Sequence, residues 1–140
     1  MAGGKNRSDK LKRLVAVQRH MERMAELDLA STTEVRRELA QKMEFAMDAI
    51  GSFEPVHMSL KGQYALQYGR LNGQDQQMET LQEVQENRIL REKAKGDRLE
   101  EHFKDARNAE EREREDNAVI DLIEMRLALD APASSKVEKP

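Results

Sequence analysis

Ala49-Ile50-Gly51-Ser52-Phe53-Glu54-Pro55-Val56-His57 decides the fold. It is the one convincing interruption in the interior of a 140-residue chain. Gly51 follows a helical apolar stripe as a C′ glycine would, and Pro55 stops any continuation of the helix. From Lys10 to Ile50 no Pro or Gly intervenes. Leu11, Leu14, Met21, Ala25, Leu29, Val35, Leu39, Met43, Ala46 and Ile50 recur mostly at steps of three and four, with Gln18 and Thr32 filling two gaps. That period predicts one amphipathic helix, about 40 residues and roughly 60 Å long, with Ser8 or Asp9 as its N-cap.

Beyond Pro55 a second helix is expected to start near Val56 or His57 and to run to about Leu129, roughly 105 Å. Its stripe is Leu60, Tyr64, Leu71, Met78 and Leu81, then polar through Gln85 and Arg88, then Leu99, Phe103 and Ala106. A charged stretch, Glu110 to Asp116, leads to Val119-Ile120-Asp121-Leu122-Ile123-Glu124-Met125. Two long amphipathic helices joined by a short connection pack as antiparallel neighbours. The expected fold is therefore all-α, an antiparallel coiled-coil hairpin. The expected organisation is a disordered N-terminus over residues 1–9, a coiled-coil domain over 10–129 and a disordered tail over 130–140. With Ile50 opposite Met58, Leu11 lies opposite Asp97. About the last 30 residues of the longer helix then overhang with an uncovered apolar stripe, which must be covered, fray or bind something.

Composition agrees and excludes much. Charged residues are 36% of the chain and aromatics 4%, a balance suited to long helices and not to a large core. The net charge of −3 argues against nucleic acid as the main partner, since phosphate binding needs a basic excess. With no Cys there is no disulfide or thiolate metal site. No stretch approaches the roughly 20 apolar residues of a membrane span, and the expected compartment is the cytoplasm. His20, His57 and His102 have no ligand spacing, Gly62, Gly69 and Gly73 lack the Lys-Ser/Thr ending of a phosphate loop, and two helices cannot enclose a pocket with shifted pKa values. No metal, cofactor or enzymatic activity is expected.

Three features ask for a functional reading. Gly62, Gly69 and Gly73 each cost about 1 kcal/mol against Ala inside a helix. They lie on the face away from the stripe. They are either tolerated weak helix or a smooth face where another backbone can approach. The segment from Lys5 to Arg23 carries seven Lys and Arg against Asp9 and Glu22, which suits a partner-facing or solvated surface and at most peripheral membrane contact. Glu100 to Asp116 has about twice as many acids as bases, as in a solvated helix held by i,i+4 pairs.

The opening Leu11-x-x-Leu14-Val15-x-Val17-Gln18-Arg19-x-x-Glu22-Arg23-x-Ala25-Glu26-x-x-Leu29-Ala30 resembles the start of FliJ-type flagellar export proteins and the related YscO-type proteins of type III secretion. Leu90-Arg91-Glu92-Lys93, Arg98-Leu99, Glu110-Glu111 and Arg114-Glu115-Asp116-Asn117 before Asp121 are similar to that family's far end. Asp116-Asn117 departs from the family's Glu-Gln, and the glycine-bearing middle is unlike a standard member. The resemblance implies a non-enzymatic stalk whose free helix ends enter the hexameric export ATPase. It also implies contact with the export-gate membrane protein at the cytoplasmic face of the inner membrane, and with export chaperones. On location and charge, Arg13, Arg19, Glu22 and Arg23 on the first helix and Arg112, Arg114 and Ile120 on the second are the candidate contact residues, with the three glycines as a second surface. The alternative is a generic cytoplasmic coiled-coil adaptor or homo-oligomer in which Val119 to Met125 zips to its own copy.

Overall fold

The computed structural model describes residues 6–131. The expected disorder of the first five residues and of the tail from Pro132 on lies outside the described residues. The described chain is all-α, with two long helices joined by a short linker. Helix α1 spans Arg7–Gly51, α2 is the single turn Pro55–Ser59, and α3 spans Lys61–Asp130. Arg7, Ser8 and Asp9 are already helical, so none is the expected cap residue.

The linker follows from its residues, with two differences from expectation. Gly51 closes α1 from inside the helix with no left-handed φ, and Ser52 N–H tightens the last turn by donating to the Ala49 carbonyl at 3.2 Å. Glu54 is extended (φ −64°, ψ 138°), as the clash with the Pro55 ring demands, and Pro55 opens α2 at a position needing no N–H. Leu60 then leaves helical geometry (φ −111°, ψ 9°) and separates α2 from α3. The second helix therefore arrives in two pieces. Tyr64 bridges the break, edge-on to both His57 (centroids 5.7 Å apart) and Phe45 (6.2 Å).

By its contacts the chain divides into two units, one of residues Ala16–Arg98 and one of Met1–Val15 with Leu99–Pro140. In the first, the covered positions of α1 are Gln18, Glu22, Ala25, Thr32, Leu39, Ala46 and Ala49, with Leu29, Arg36 and Met43 half-covered between them. On α3 the matching run is Leu71, Asp75, Met78, Gln82, Gln85, Ile89, Glu92 and Gly96. Both runs alternate steps of three and four, the heptad spacing of a coiled-coil seam. Leu14, Met21, Val35 and Leu81, expected on this stripe, are instead exposed, and Val15, Glu22, Arg36 and Gln82 take their places. Gln18, Ala25, Leu29, Thr32, Leu39, Met43 and Ala46 stay on the seam as expected, and the four exposed positions each move by one residue.

The seam is small and polar. Ala25 is 1% exposed, Ala46 0%, Leu39 7% and Leu71 8%, and no large side chain among the described residues is fully buried. Between these sit hydrogen-bonded polar layers. Arg36 Nε donates to Asp75 Oδ1 at 2.9 Å and Nη1 to Gln82 Oε1 at 2.9 Å. Gln18 Nε2 donates to the Glu92 carbonyl at 3.1 Å and to the Glu92 carboxylate. Arg88 Nη1 meets Asp28 Oδ2 at 3.0 Å, and Arg19 Nη2 meets Asp97 Oδ1 at 3.0 Å. The Arg19–Asp97 pair corrects the expected register. Asp97 meets a residue roughly two turns farther along α1 than Leu11. The extra turn of α2 and the break at Leu60 delay the start of α3.

In the second unit, Leu11 and Val15 on α1 and Leu99, Phe103 and Ala106 on α3 are half-covered. Glu110 closes the start of α1. Its Oε1 accepts from Ser8 N–H at 3.1 Å and its Oε2 from the Ser8 hydroxyl. That N–H is one of the four donors every helix start leaves unpaired, so a carboxylate from α3 caps α1. Every residue from Glu111 to Ala131 is exposed. The uncovered stretch therefore begins at Glu111 and not near Asp97.

Two outcomes follow from the polar seam. The Asp75 carboxyl is held below its ordinary value by its hydrogen bond from Arg36, Glu92 by Gln18, and Glu110 by the Ser8 hydroxyl and N–H. A depressed carboxylate stabilises the fold fully above its unfolded pKa, about 4, and loses that contribution as pH falls through the folded value. The thermal midpoint is expected to be flat from pH 7 to about pH 5 and to drop below about pH 4, with Gln18→Ala shrinking the drop. In the other, Arg36→Leu with Asp75→Leu raises the denaturant midpoint, because Leu39 and Met78 lie beside them on the seam, whereas Asp75→Leu alone lowers it by stranding the guanidinium. A midpoint that falls in the double variant would show the ion pair to be net stabilising.

Candidate protein-binding surfaces

The residues picked out by sequence fall on both units, and each environment is distinct. In the unit of residues Ala16–Arg98, Arg19 is held between Glu22 Oε2 at 2.8 Å and Asp97. Glu22 itself is covered in the seam, so it serves to position Arg19 and not to meet a partner directly. Arg23 is exposed. In the other unit Arg13, Arg112, Arg114 and Ile120 are all exposed. Arg114 lines a shallow depression with Asn6, Ser8, Lys12, Phe103 and Glu110, and its charge adds to the lowering of the Glu110 carboxyl.

The carboxy-terminal stretch of α3 is the largest apolar exposure. Val119, Ile120, Leu122, Ile123, Met125, Leu127 and Leu129 are each at least half exposed. At about 100° per residue they form two stripes. Ala118, Leu122, Met125 and Leu129 make one. Ile120, Ile123 and Leu127, with Val119 beside them, make the other, on the far side of the helix. An apolar exposure this broad marks an interaction surface on a stable protein.

The three mid-helix glycines lie where sequence placed them. Gly62 and Gly69 are exposed and Gly73 half-exposed, and a Cβ at any of them would meet nothing within 4 Å. Gly96 is the opposite case and was not legible as a site. A Cβ there would stand 2.6 Å from Arg19 Nη1, because the guanidinium crosses directly over the helix backbone. Only the seam spacing, which puts position 96 in line with Glu92 and Leu99, signals it.

A further pair of surfaces escaped the sequence reading because Met21 was assigned to the seam. Val17, Met21 and Met24 form an exposed apolar stripe on α1, spaced by four and three. Arg88, Arg91, Lys95 and Arg98 form a basic stripe on α3, spaced by three, four and three.

Among the described residues no group of three or more acids and histidines is placed to hold a metal ion, and no helix is long and apolar enough to cross a membrane. The shifted carboxyl groups Glu34, Asp75, Glu92 and Glu110 each owe the shift first to one hydrogen-bonding partner within the fold.

The glycine geometry makes a direct prediction. Ala at positions 62, 69 and 73 is expected to stabilise the protein by about 1 kcal/mol each in urea unfolding, since nothing crowds the added methyl. Gly96→Ala is expected to fall short of that gain, because Arg19 must swing away from Glu22 and Asp97. No family model, curated protein or solved structure matches the chain.

Proposed function

We propose that the chain is a non-enzymatic coiled-coil stalk or adaptor that binds other proteins through the exposed end of α3. Its two long helices form an antiparallel hairpin in this reading. Support comes from the cross-helix pairs, whose numbers rise on α3 as they fall on α1: Arg36 with Asp75, Asp28 with Arg88, Gln18 with Glu92. The observation that carries the functional reading is the exposed apolar stretch from Val119 to Leu129. An exposure of that kind, on a helix end that no other described residue covers, calls for a foreign surface.

The partner class comes from sequence resemblance. The motifs from Leu11 to Ala30 and from Leu90 to Asp121 point to a flagellar or related type III export apparatus. The export ATPase ring is the proposed first partner, and the export-gate membrane protein and export chaperones are further ones, all at the cytoplasmic face of the membrane. In the unit of residues Met1–Val15 and Leu99–Pro140, Arg13, Arg112 and Arg114 would meet carboxylates of the ring, and in the other unit Arg23, and Arg19 positioned by Glu22, are separate candidate contacts. Ile120, on the stripe with Ile123 and Leu127, would supply the apolar anchor, the kind of central contact that dominates binding energy.

The test is a pull-down and titration with an export ATPase of the same cell. Arg112→Glu with Arg114→Glu, and separately Ile120→Asp, are each expected to weaken association by about tenfold or more. Far-ultraviolet circular dichroism checks that helicity is kept. No association by the unaltered protein would remove the ATPase as partner, and full association by both variants would remove this end as the docking site.

A further inference from the structure

The groove beside the seam in the unit of residues Ala16–Arg98 has walls of different chemistry. The Asp28–Arg88 ion pair, 3.0 Å, ties the two walls together. Asp28 continues the spacing of Val17, Met21 and Met24 along α1, and Arg88 begins the series Arg91, Lys95 and Arg98 along α3. Helical period therefore runs the apolar stripe and the basic stripe along one side, in step, for about 12 residues or roughly 18 Å. Lys95 has a Glu92 oxygen at 3.6 Å, while Arg91 and Arg98 have no ion-pair partner among the described residues. This side rests on the antiparallel pairing proposed above.

Such a groove fits an amphipathic helix with an apolar stripe and carboxylates along one edge. This chain carries one. On α3 the stripe Ala118, Leu122, Met125 and Leu129 also spans about 12 residues. Asp121 flanks it on one edge, and Glu124 lies farther round on that side, next to Ile120. Arg126 lies on the other, with Asp130 at 3.9 Å. The stripe is exposed, and it is the face opposite the Ile120 side assigned to the foreign partner.

We infer that the groove is a self-association site, and that its occupant is the end of α3 from a second copy of this chain. Leu122 and Met125 pack on Met21 and Met24, while Asp121 faces the basic wall between Arg91 and Arg98. The single acidic edge also fixes the direction of the incoming helix, because reversing it would turn Arg126 toward the basic wall.

Sedimentation velocity over a range of concentrations reads the association directly. The unaltered full chain is expected to self-associate, more weakly as salt is raised. Arg91→Glu with Arg98→Glu makes the groove acidic. Asp121→Lys with Glu124→Lys makes the helix edge basic. Each double variant alone is expected to lose self-association about tenfold or more while keeping its helicity. An equimolar mixture of the two is expected to associate again, because each groove then finds an edge of opposite charge. A monomer at every concentration, self-association undiminished in either variant, or a mixture that stays monomeric would each overturn the assignment. Ile120→Asp, which strikes the ATPase-facing stripe, is expected to leave self-association intact, so failure here and failure of the proposed function are separately visible.

Discussion

Two helices cannot surround a side chain, and every other property of this fold follows from that constraint. A residue on the seam keeps one flank open to water, so the fully covered positions are alanines and the leucines between them remain partly wet. Apolar area is then too scarce to specify the pairing by itself. The polar layers supply what is missing. Arg36 with Asp75 and Gln18 with Glu92 each demand one opposite residue, and a shift along the helix would leave a charge or an amide half-buried without a partner.

The same open flanks explain why the surface is chemically rich. A compact globule of this length hides most of its large apolar side chains, whereas here Val17, Met21, Met24 and the run from Val119 to Leu129 stay in contact with water. The glycines at 62, 69 and 73 add a different texture, a face on which the exposed Leu66 stands between residues that have no side chain. Apolar, charged and side-chain-free stretches thus all face water on the same helices.

The break, the far end of α3 and the all-α class were legible in the sequence because Gly and Pro are few and the apolar period is sustained. What failed were single positions on a stripe whose other members, among them Gln18, Ala25, Thr32, Leu39 and Ala46, are covered as expected. Leu14, Met21 and Val35 read as seam because they are apolar, yet the seam runs one residue later, through Val15, Glu22 and Arg36. Apolar character is a poor guide where the contact between helices is itself polar, and a strict alternation of three and four steps is the better one. The register was misjudged for a local reason, the single turn of α2 and the kink at Leu60, neither of which has a composition signal. Of the candidate contact residues, the exposed arginines and Ile120 could be chosen from charge and position. Gly96 could not, because its meaning lies in Arg19, 77 positions away, crossing over it.

The clasp of Glu110 on Ser8 bears on the order in which the chain assembles. Its partners are 102 residues apart in sequence, whereas Arg36 and Asp75 are 39 apart. Closing the larger loop from an open chain costs about 1 kcal/mol more in entropy. Once the pairs nearer the linker exist, most of that loop is already closed and the penalty largely vanishes. The shorter closures within the unit of residues Ala16–Arg98 are thereby favoured to form before the Ser8–Glu110 clasp of the other unit.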